Sequence, residues 1–339
     1  MVAQKPTGGN AMTKRHKVLL YTIDDVSDYA RECARSLGAQ DQLELVSRTH
    51  EVFSSPTAEE LDGVEAVLGE FMPVRDAEVD VMADAGVRLV ASMSIGINHV
   101  DVAGLAARGV AVSNCPGYCA EDVALHTVAL MLDLMRQVTM SNRDVLAGNW
   151  NPRFGREMRR PVRQTCGLVF FGNIARKVVP LVKALGMDVL VWAPTKSAEE
   201  LASAGCRKAE SLDELLATSD VVSLHCPLVP MTERLIGARE LALMKPTALL
   251  INTARGAVVD EDALADALEA GAIAGAGLDV LTEERDVAYQ RLPKCPNCIV
   301  TPHTAYVTRE ASEALVSMSM KSVCELLLEG REPEYVVRP

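Results

Sequence analysis

The sequence predicts an α/β protein of two domains, and three observations support this class. A length of 339 residues exceeds one ordinary core and suits two domains. Short apolar segments of strand length alternate with segments of helical periodicity along most of the chain. Aromatic residues make up only 4% of the chain, so the core must be aliphatic, as in parallel sheets covered by helices.

Three apolar segments near the start predict strands of a first parallel sheet. They are residues 17–23, 64–68 and 87–92, with helical segments between them. Residues 120–135 predict a long helix, because apolar side chains recur there at helical spacing. Residues 148–163 are basic, polar and contain proline, so we expect a loop or an arm there.

A second alternation predicts a Rossmann-type, doubly wound parallel sheet. Its six predicted strands are residues 167–171, 188–192, 221–225, 248–252, 275–280 and 298–301. Helices are expected between them, for example at 174–185 and 261–269, and residues 309–329 predict a last helix that could return to the first domain. Six strands with intervening helices match a complete dinucleotide-binding domain.

Charge and composition exclude several classes of partner. The net charge is −12 and the isoelectric point is about 5.1, so neither nucleic acid nor an anionic membrane is an expected partner. The apolar runs are too short to span a membrane, and residues 1–12 lack the apolar stretch of a signal peptide. We expect a cytoplasmic protein with a disordered extension at residues 1–12.

The nine cysteines do not indicate a disulfide framework or a zinc site. Their number is odd, and Cys295 and Cys298 form a single CxxC motif with no second motif at metal-binding spacing. We interpret them as reduced thiols in a loop and expect no metal, with a metal or redox site as the less favoured alternative.

A glycine turn follows the first strand of the second sheet. The dinucleotide pattern GxGxxG/A places Gly172 and Ala175 at its second and third positions, whereas Phe170 stands at the first. The pyrophosphate would meet the helix N-terminus at Asn173 and Ile174, where main-chain N–H groups favour an anion. The alternative is an ordinary turn between a strand and a helix.

The end of the next strand bears on the choice between NAD and NADP. Ala193 stands where an acidic residue usually binds the ribose 2′-hydroxyl of NAD. Without that carboxylate a 2′-phosphate meets no repulsion, and Thr195, Lys196 and Ser197 offer groups to hold it. We therefore favour tolerance of NADP, the alternative being a solvated loop that contains a lysine.

Three later strands each end in a residue suited to carbonyl reduction. Arg255 precedes a glycine, Glu284 follows the strand that ends at Asp279, and His303 follows a proline. Hydride transfer to a keto acid needs a proton donor near neutrality, a carboxylate that orients it, and a cation for the substrate carboxylate. Each residue alone has a structural explanation, but three at successive strand ends favour an active site.

These segments together resemble the D-isomer-specific 2-hydroxyacid dehydrogenase family. The resemblance covers residues 87–315 and is most specific at residues 224–232, 244–246, 251–256, 278–280 and 301–305. The segment Thr-Pro-His-Thr-Ala-Tyr around His303 is most similar to that of the D-lactate dehydrogenase branch.

The resemblance implies a role for each site residue. Arg255 would bind substrate, and His303 would be the acid/base, paired with Glu284. Asp279 would contact the nicotinamide carboxamide. The main-chain N–H groups of Ile95 and Gly96 would hold the substrate carboxylate. The resemblance also adds four residues to the cofactor site: Cys226, Pro227, Thr232 and Thr253.

The resemblance further implies the domain plan and the partners. A flavodoxin-like substrate domain would comprise residues 13–114 and 303–339, and the dinucleotide-binding domain residues 115–302. The helix at 120–135 resembles a dimer-forming arm, so a homodimer is expected, with NAD or NADP and a small 2-keto or 2-hydroxy acid as ligands. We interpret His99 as a structural residue and not a catalytic one, and His126 as a packing or interface residue.

Two other functions stay open at this point. Some members of the family are cofactor-sensing proteins, including corepressors, and the departures at Phe170 and Ala193 suit weak cofactor binding, although the Arg255, Glu284 and His303 set disfavours it. A vestigial protein without cofactor binding is the third possibility. The substrate side chain is undetermined, but residues 70–73 suggest an apolar wall for something larger than glyoxylate.

Overall fold

A computed structural model describes residues 15–153 and 155–339 and divides the chain into two compact units. The first unit consists of the chain up to Tyr118 together with Arg309–Pro339, and the second of Cys119–Thr308. The predicted extension at residues 1–12 lies outside the described residues. Across the described ranges, none of the helices combines the length and the apolar character that crossing a membrane requires.

The first unit is built on a five-stranded sheet. Its strands are β1 (His16–Thr22), β2 (Leu43–Thr49), β3 (Val64–Gly69), β4 (Leu89–Ser92) and β5 (Ala111–Ser113). The order β2-β1-β3-β4-β5, with every pair parallel, is the flavodoxin-like order. Its helices before the second unit are α1 (Ser27–Ser36), α2 (Ala77–Asp84) and α3 (Val102–Ala107).

The second unit is built on a seven-stranded parallel sheet. Its strands are β6 (Thr165–Val169), β7 (Asp188–Trp192), β8 (Arg207–Lys208), β9 (Val221–Leu224), β10 (Leu249–Asn252), β11 (Gly275–Leu278) and β12 (Cys298–Val300). The strand order is β12-β11-β10-β9-β6-β7-β8. From β6 the chain adds strands first on one side, as β7 and β8, and then on the other side, beginning with β9, so the order of succession reverses between β6 and β9. In such sheets the ligand binds at the carboxyl ends of the strands beside this reversal.

Helices cover both faces of the seven-stranded sheet. They are α4 (Ala120–Arg136), α6 (Asn173–Ala184), α7 (Ala198–Ser203), α8 (Leu212–Thr218), α9 (Ala238–Leu243) and α10 (Glu261–Glu269). Helix α5 (Val138–Leu146) follows α4 and has no buried residue. Leu250 packs in the core formed with α8, α9 and α10, whereas its neighbours Leu249 and Ile251 pack in the core formed with α4, α6 and α7. Because side chains alternate along a strand, these nearly unbroken apolar strands serve two cores.

The last helix, α11 (Arg309–Leu327), belongs to the first unit, where it contacts α1, β3 and β4. Its buried side chains include Leu315, Val316 and Met320. The chain then reaches β5, where Val337 N donates to Val112 O at 2.8 Å. Both ends of the described chain therefore build one unit.

The α/β class with a Rossmann-type sheet is confirmed, but the strand count was wrong. The sequence predicted three strands in the first sheet and six in the second, whereas the structure has five and seven. The missed strands β2 and β8 lie at sheet edges and carry exposed or charged side chains, and β5 has only three residues. Edge strands need no unbroken apolar run, so the pattern did not reveal them.

Candidate active site

The three predicted catalytic residues follow neighbouring strands at one edge of the second unit's sheet. Arg255 comes after β10, Glu284 after β11 and His303 after β12. The pairs β10 with β11 and β11 with β12 are parallel, so the three strands end at the same edge. The topology therefore gathers residues separated by up to 48 positions in the sequence.

His303 and Glu284 are in direct contact. His303 Nδ1 lies 3.0 Å from both carboxylate oxygens of Glu284, and the two side chains are 27% and 22% exposed. Since a carboxylate accepts, this contact places the proton of the neutral ring on Nδ1 and makes Nε2 the nitrogen that exchanges a proton. His303 also adopts a φ of +54°, a left-handed backbone that is uncommon for a side-chain-bearing residue.

Asp279 is almost fully buried, at 1% exposure, and its carboxylate holds the loop that carries His303. Its Oδ1 accepts from Thr301 Oγ1 at 2.6 Å and from the Thr304 N–H at 3.0 Å, and its Oδ2 accepts from the Ala305 N–H at 2.9 Å. His303 N donates to the Asp279 carbonyl at 2.8 Å. One residue therefore fixes the chain on both sides of the imidazole.

The turn that carries Arg255 is framed by a buried asparagine and a close backbone approach. Asn252 Nδ2 donates to the Arg255 carbonyl at 2.9 Å, and Asn252 Oδ1 accepts from the Ala254 N–H at 3.0 Å. Gly256 follows directly, and a Cβ there would collide with the main chain of Leu281 and Thr282. The Arg255 turn thus lies against the segment that leads to Glu284.

The glycine turn keeps its form despite Phe170. Phe170 has a φ of +70°, the conformation that glycine would adopt without strain, and its ring packs edge-to-face on Trp192 at 5.7 Å between centroids. Gly172 precedes α6, and no atom of the described residues lies within 4 Å of where its Cβ would be. Within the described chain no side chain caps α6, so the N–H groups of Asn173 and Ile174 suit a pyrophosphate.

The predicted residues after β9 lie across the reversal from this turn. Cys226 is buried, which raises the pKa of its thiol to about 11, and Pro227 is exposed. The Thr232 hydroxyl bonds to the Pro227 carbonyl at 2.6 Å and accepts from Val229 N at 2.9 Å, so it shapes this loop. Burial lowers the pKa of the neighbouring His225 to about 4.

The predicted 2′-phosphate region holds two cations around one carboxylate. Ala193 is buried and leaves no acid at the end of β7, and Thr195 is exposed. Lys196 Nζ lies 3.0 Å from Glu200 Oε1, and Arg176 Nη2 lies 2.6 Å from the same oxygen. This exposed cluster therefore contains more positive than negative groups.

Ile95 and Gly96 belong to a loop of the first unit whose carbonyl groups are in use. Ser94 Oγ donates to the Gly96 carbonyl at 2.9 Å, and Asn114 Nδ2 donates to the Ile95 carbonyl at 2.8 Å. The N–H groups of Ile95 and Gly96 have no hydrogen-bond partner among the described residues. The loop thus presents two donors suited to an anion.

Two further features of the second unit lie apart from the predicted site. Cys295 and Cys298 are both buried, and burial raises the pKa of the Cys298 thiol to about 12, which disfavours a reactive thiolate. A cavity of about 320 Å³ lies among Asp220, Leu249 and Asn297, where strands of the sheet begin, at the opposite end from the predicted site. None of the predicted site residues lines that cavity.

Comparison with known proteins decides the family. The model for "D-isomer specific 2-hydroxyacid dehydrogenase, NAD binding domain" matches residues 128–305, just over half of the chain. The chain belongs to this family. The resemblance drawn from the strand-end motifs is therefore confirmed. The family match indicates that the chain binds a nicotinamide cofactor, and it does not support the corepressor-like function.

Relatives and solved structures of the family extend the match beyond the NAD-binding domain. A glycerate dehydrogenase of Methylorubrum extorquens is 34% identical over 286 residues, covering 82% of this chain and 87% of the relative. A D-3-phosphoglycerate dehydrogenase of Archaeoglobus fulgidus is 32% identical over 87% of this chain, which spans 54% of that relative. A D-lactate dehydrogenase of Lactobacillus jensenii with NAD+ superposes with a TM-score of 0.77 at 27% identity, covering 95% of this chain and all of that one.

Two residues near the predicted active site were not identified from the sequence. His126 of α4, interpreted above as a packing or interface residue, contacts Thr301 and Asp279, and Gly256 enforces the close approach of two loops. A histidine within the apolar face of a helix was a weak signal for the first. The second had no signal beyond its place after Arg255, because a collision between distant segments is a tertiary property.

Proposed function

We propose that the chain catalyses reversible hydride transfer between a nicotinamide cofactor and a 2-keto acid or D-2-hydroxy acid. His303 serves as the acid/base, Glu284 as its carboxylate partner and Arg255 as the substrate-binding cation. The observation that supports this most directly is the contact of His303 Nδ1 with both Glu284 oxygens at 3.0 Å. Such a pair orients an imidazole and stabilises its charged form.

In the proposed reduction the bound cofactor supplies the hydride, and the protein supplies the proton and the electrostatics. Arg255 offers planar N–H donors to the substrate carboxylate and carbonyl, which polarises the carbonyl. As negative charge develops on the carbonyl oxygen, His303 Nε2 donates its proton there, and Glu284 stabilises the imidazolium before transfer. In the oxidation the neutral His303 accepts the hydroxyl proton.

The proposal is tested by assaying a panel of 2-keto acids with NADH and NADPH, and by comparing wild type with His303→Ala. We expect turnover to fall by about a hundredfold to ten-thousandfold in the variant, the usual contribution of a general acid. Cofactor affinity, followed by fluorescence titration, should stay the same because His303 does not hold the dinucleotide. If the wild-type protein binds cofactor but turns over none of the acids, the enzyme assignment is refuted. If the wild-type protein binds neither NADH nor NADPH, the site is vestigial.

The same site is proposed to tolerate NADP. Ala193 removes the carboxylate that would repel a 2′-phosphate, and Lys196 and Arg176 supply positive charge beside it. Glu200 neutralises part of that charge in the unliganded chain. A 2′-phosphate would therefore compete with Glu200 for the two cations, which predicts that both cofactors bind.

The substrate is proposed to carry a side chain larger than the hydrogen of glyoxylate. Phe53 and Phe71 pack edge-to-face, with ring centroids 5.9 Å apart, beside the carboxyl end of β3. Phe71 gives the predicted wall of residues 70–73 an apolar character, whereas Met72 is buried in the core of the first unit. The main-chain N–H groups of Ile95 and Gly96 are proposed to bind the substrate carboxylate.

The substrate domain is proposed to correspond to the first unit, and the dinucleotide-binding domain to the second unit.

The homodimer is proposed on the apolar surface of α4, α5 and the following loop. Leu125, Leu146 and Trp150 are 64%, 78% and 87% exposed, although each is large and apolar. Monomeric proteins rarely expose several such side chains on consecutive elements. A second copy of the chain would cover them in a symmetric contact.

A further inference from the structure

Helix α4 contacts three of the loops around the proposed active site. Asp122 Oδ1 accepts from Thr308 Oγ1 at 2.9 Å, and Thr127 Oγ1 lies 2.9 Å from Thr253 Oγ1. Between them, His126 Nε2 lies 2.9 Å from Thr301 Oγ1 and 3.4 Å from Asp279 Oδ1. The polar side chains of this otherwise apolar face therefore contact the loops that carry His303 and Arg255, and also Asp279.

The proton on His126 follows from its neighbour's bonds. The Thr301 hydroxyl carries one proton, which it donates to Asp279 Oδ1 at 2.6 Å. Its oxygen must then accept from His126, so the neutral His126 ring carries its proton on Nε2. A directed relay of hydrogen bonds runs from His126 through Thr301 to the buried Asp279 carboxylate.

The end of this relay fixes the conformation of His303. Asp279 receives the Thr301 hydroxyl on one side of His303 and the N–H groups of Thr304 and Ala305 on the other. His303 is held between them at a φ of +54°, where the Cβ of a non-glycine residue crowds its own main chain. Such a conformation persists only when its surroundings enforce it.

We propose that His126 is a positioning residue: through Thr301 it orients the Asp279 carboxylate, which holds His303 in its left-handed conformation against Glu284. His126 does not touch the reacting atoms, so its effect passes entirely through the loop of residues 301–305. Without the Nε2 donor the Thr301 hydroxyl can rotate away from Asp279 Oδ1, so one of the bonds that hold the Asp279 carboxylate is lost and the imidazole samples positions away from Glu284. This inference rests on the proposed role of His303.

The test compares three substitutions that differ in where they place a donor. Gln puts its amide nitrogen the same number of bonds from Cα as His Nε2, Asn puts it one bond nearer, and Leu has none. We expect His126→Leu and His126→Asn to lower kcat by about tenfold to a hundredfold, as misplacement of a catalytic group by about 1 Å does. His126→Gln should restore most of kcat, and KM for the keto acid should stay the same in all three.

A second measurement does not require activity. Hydrogen exchange of the Thr304 and Ala305 amides, which donate to Asp279, should accelerate by about tenfold in His126→Leu and stay slow in His126→Gln. His16→Gln is the matched control, because His16 pairs with Glu65 at 3.1 Å in the other unit and should change neither kcat nor these amides.

The outcomes separate this inference from the proposed function. Unchanged amide exchange and unchanged kcat in His126→Leu would overturn the positioning role, and equal loss in His126→Gln and His126→Leu would overturn the donor mechanism. If wild type turns over no keto acid, the proposed function fails, while the amide exchange still decides whether His126 holds the loop.

Discussion

Alanine at position 256 tests how the proposed site is assembled. Gly256 lies directly after Arg255, and the Cβ of an alanine there would meet the main chain of Leu281 and Thr282 at less than 3.0 Å. The colliding atoms are main-chain atoms of Leu281 and Thr282, so rotation of a side chain cannot relieve the collision. The substitution must therefore push the Arg255 turn and the segment leading to Glu284 apart.

The size of the effect follows from the required displacement. Carbon atoms in contact lie about 3.5–4.0 Å apart, and the Cβ would approach Leu281 C so much more closely that the two segments must separate by about 1 Å or more. Overpacking of this kind costs about 1–3 kcal/mol of the free energy of unfolding. Because a shift of about 1 Å between catalytic groups costs about a hundredfold in rate, we expect kcat/KM of Gly256→Ala to fall by about tenfold to a hundredfold.

Steady-state kinetics on the best keto acid and denaturant unfolding measure the two quantities. Gly237→Ala is the control: its φ is −110°, and a Cβ there would approach nothing nearer than Glu240 Oε2 at 3.5 Å. It should cost less than about 1 kcal/mol and leave kcat/KM intact. A Gly256→Ala variant with wild-type kcat/KM would refute the claim that this approach positions Arg255 relative to Glu284.

Four further predictions can be measured directly. Glu284→Gln should lower kcat by about tenfold to a hundredfold without weakening cofactor binding, since the imidazolium loses its carboxylate. Burial lowers the pKa of His225 to about 4, so the unfolded state takes up a proton first; the free energy of unfolding should fall by up to about 3 kcal/mol as pH drops from 6.5 to 4, and less in His225→Gln. Glu200→Gln should tighten NADPH binding relative to NADH in fluorescence titrations, whereas Lys196→Ala should weaken it, and parallel shifts for both cofactors would contradict the 2′-phosphate assignment. Leu146→Glu should shift sedimentation toward the monomer, and an unchanged dimer would place the interface elsewhere.

The sequence alone determined the fold class and most candidate site residues. Apolar strands alternating with helices predict parallel sheets, and in such sheets a ligand site lies at the strand ends, so Arg255, Glu284 and His303 were identifiable from position and chemistry. The family match confirms the resemblance that these segments carry. Edge strands such as β2 and β8 escaped because their exposed side chains follow no apolar pattern.

Only the tertiary structure decided which residues hold the others in place. Asp279 was predicted to contact the nicotinamide, whereas the role that the fold shows is that its carboxylate binds the chain on both sides of His303. His126 lies 175 positions from Thr301, and Gly256 meets the main chain of residues 281 and 282. Contacts between distant segments depend on how helices and strands pack, and local sequence patterns carry no record of that packing.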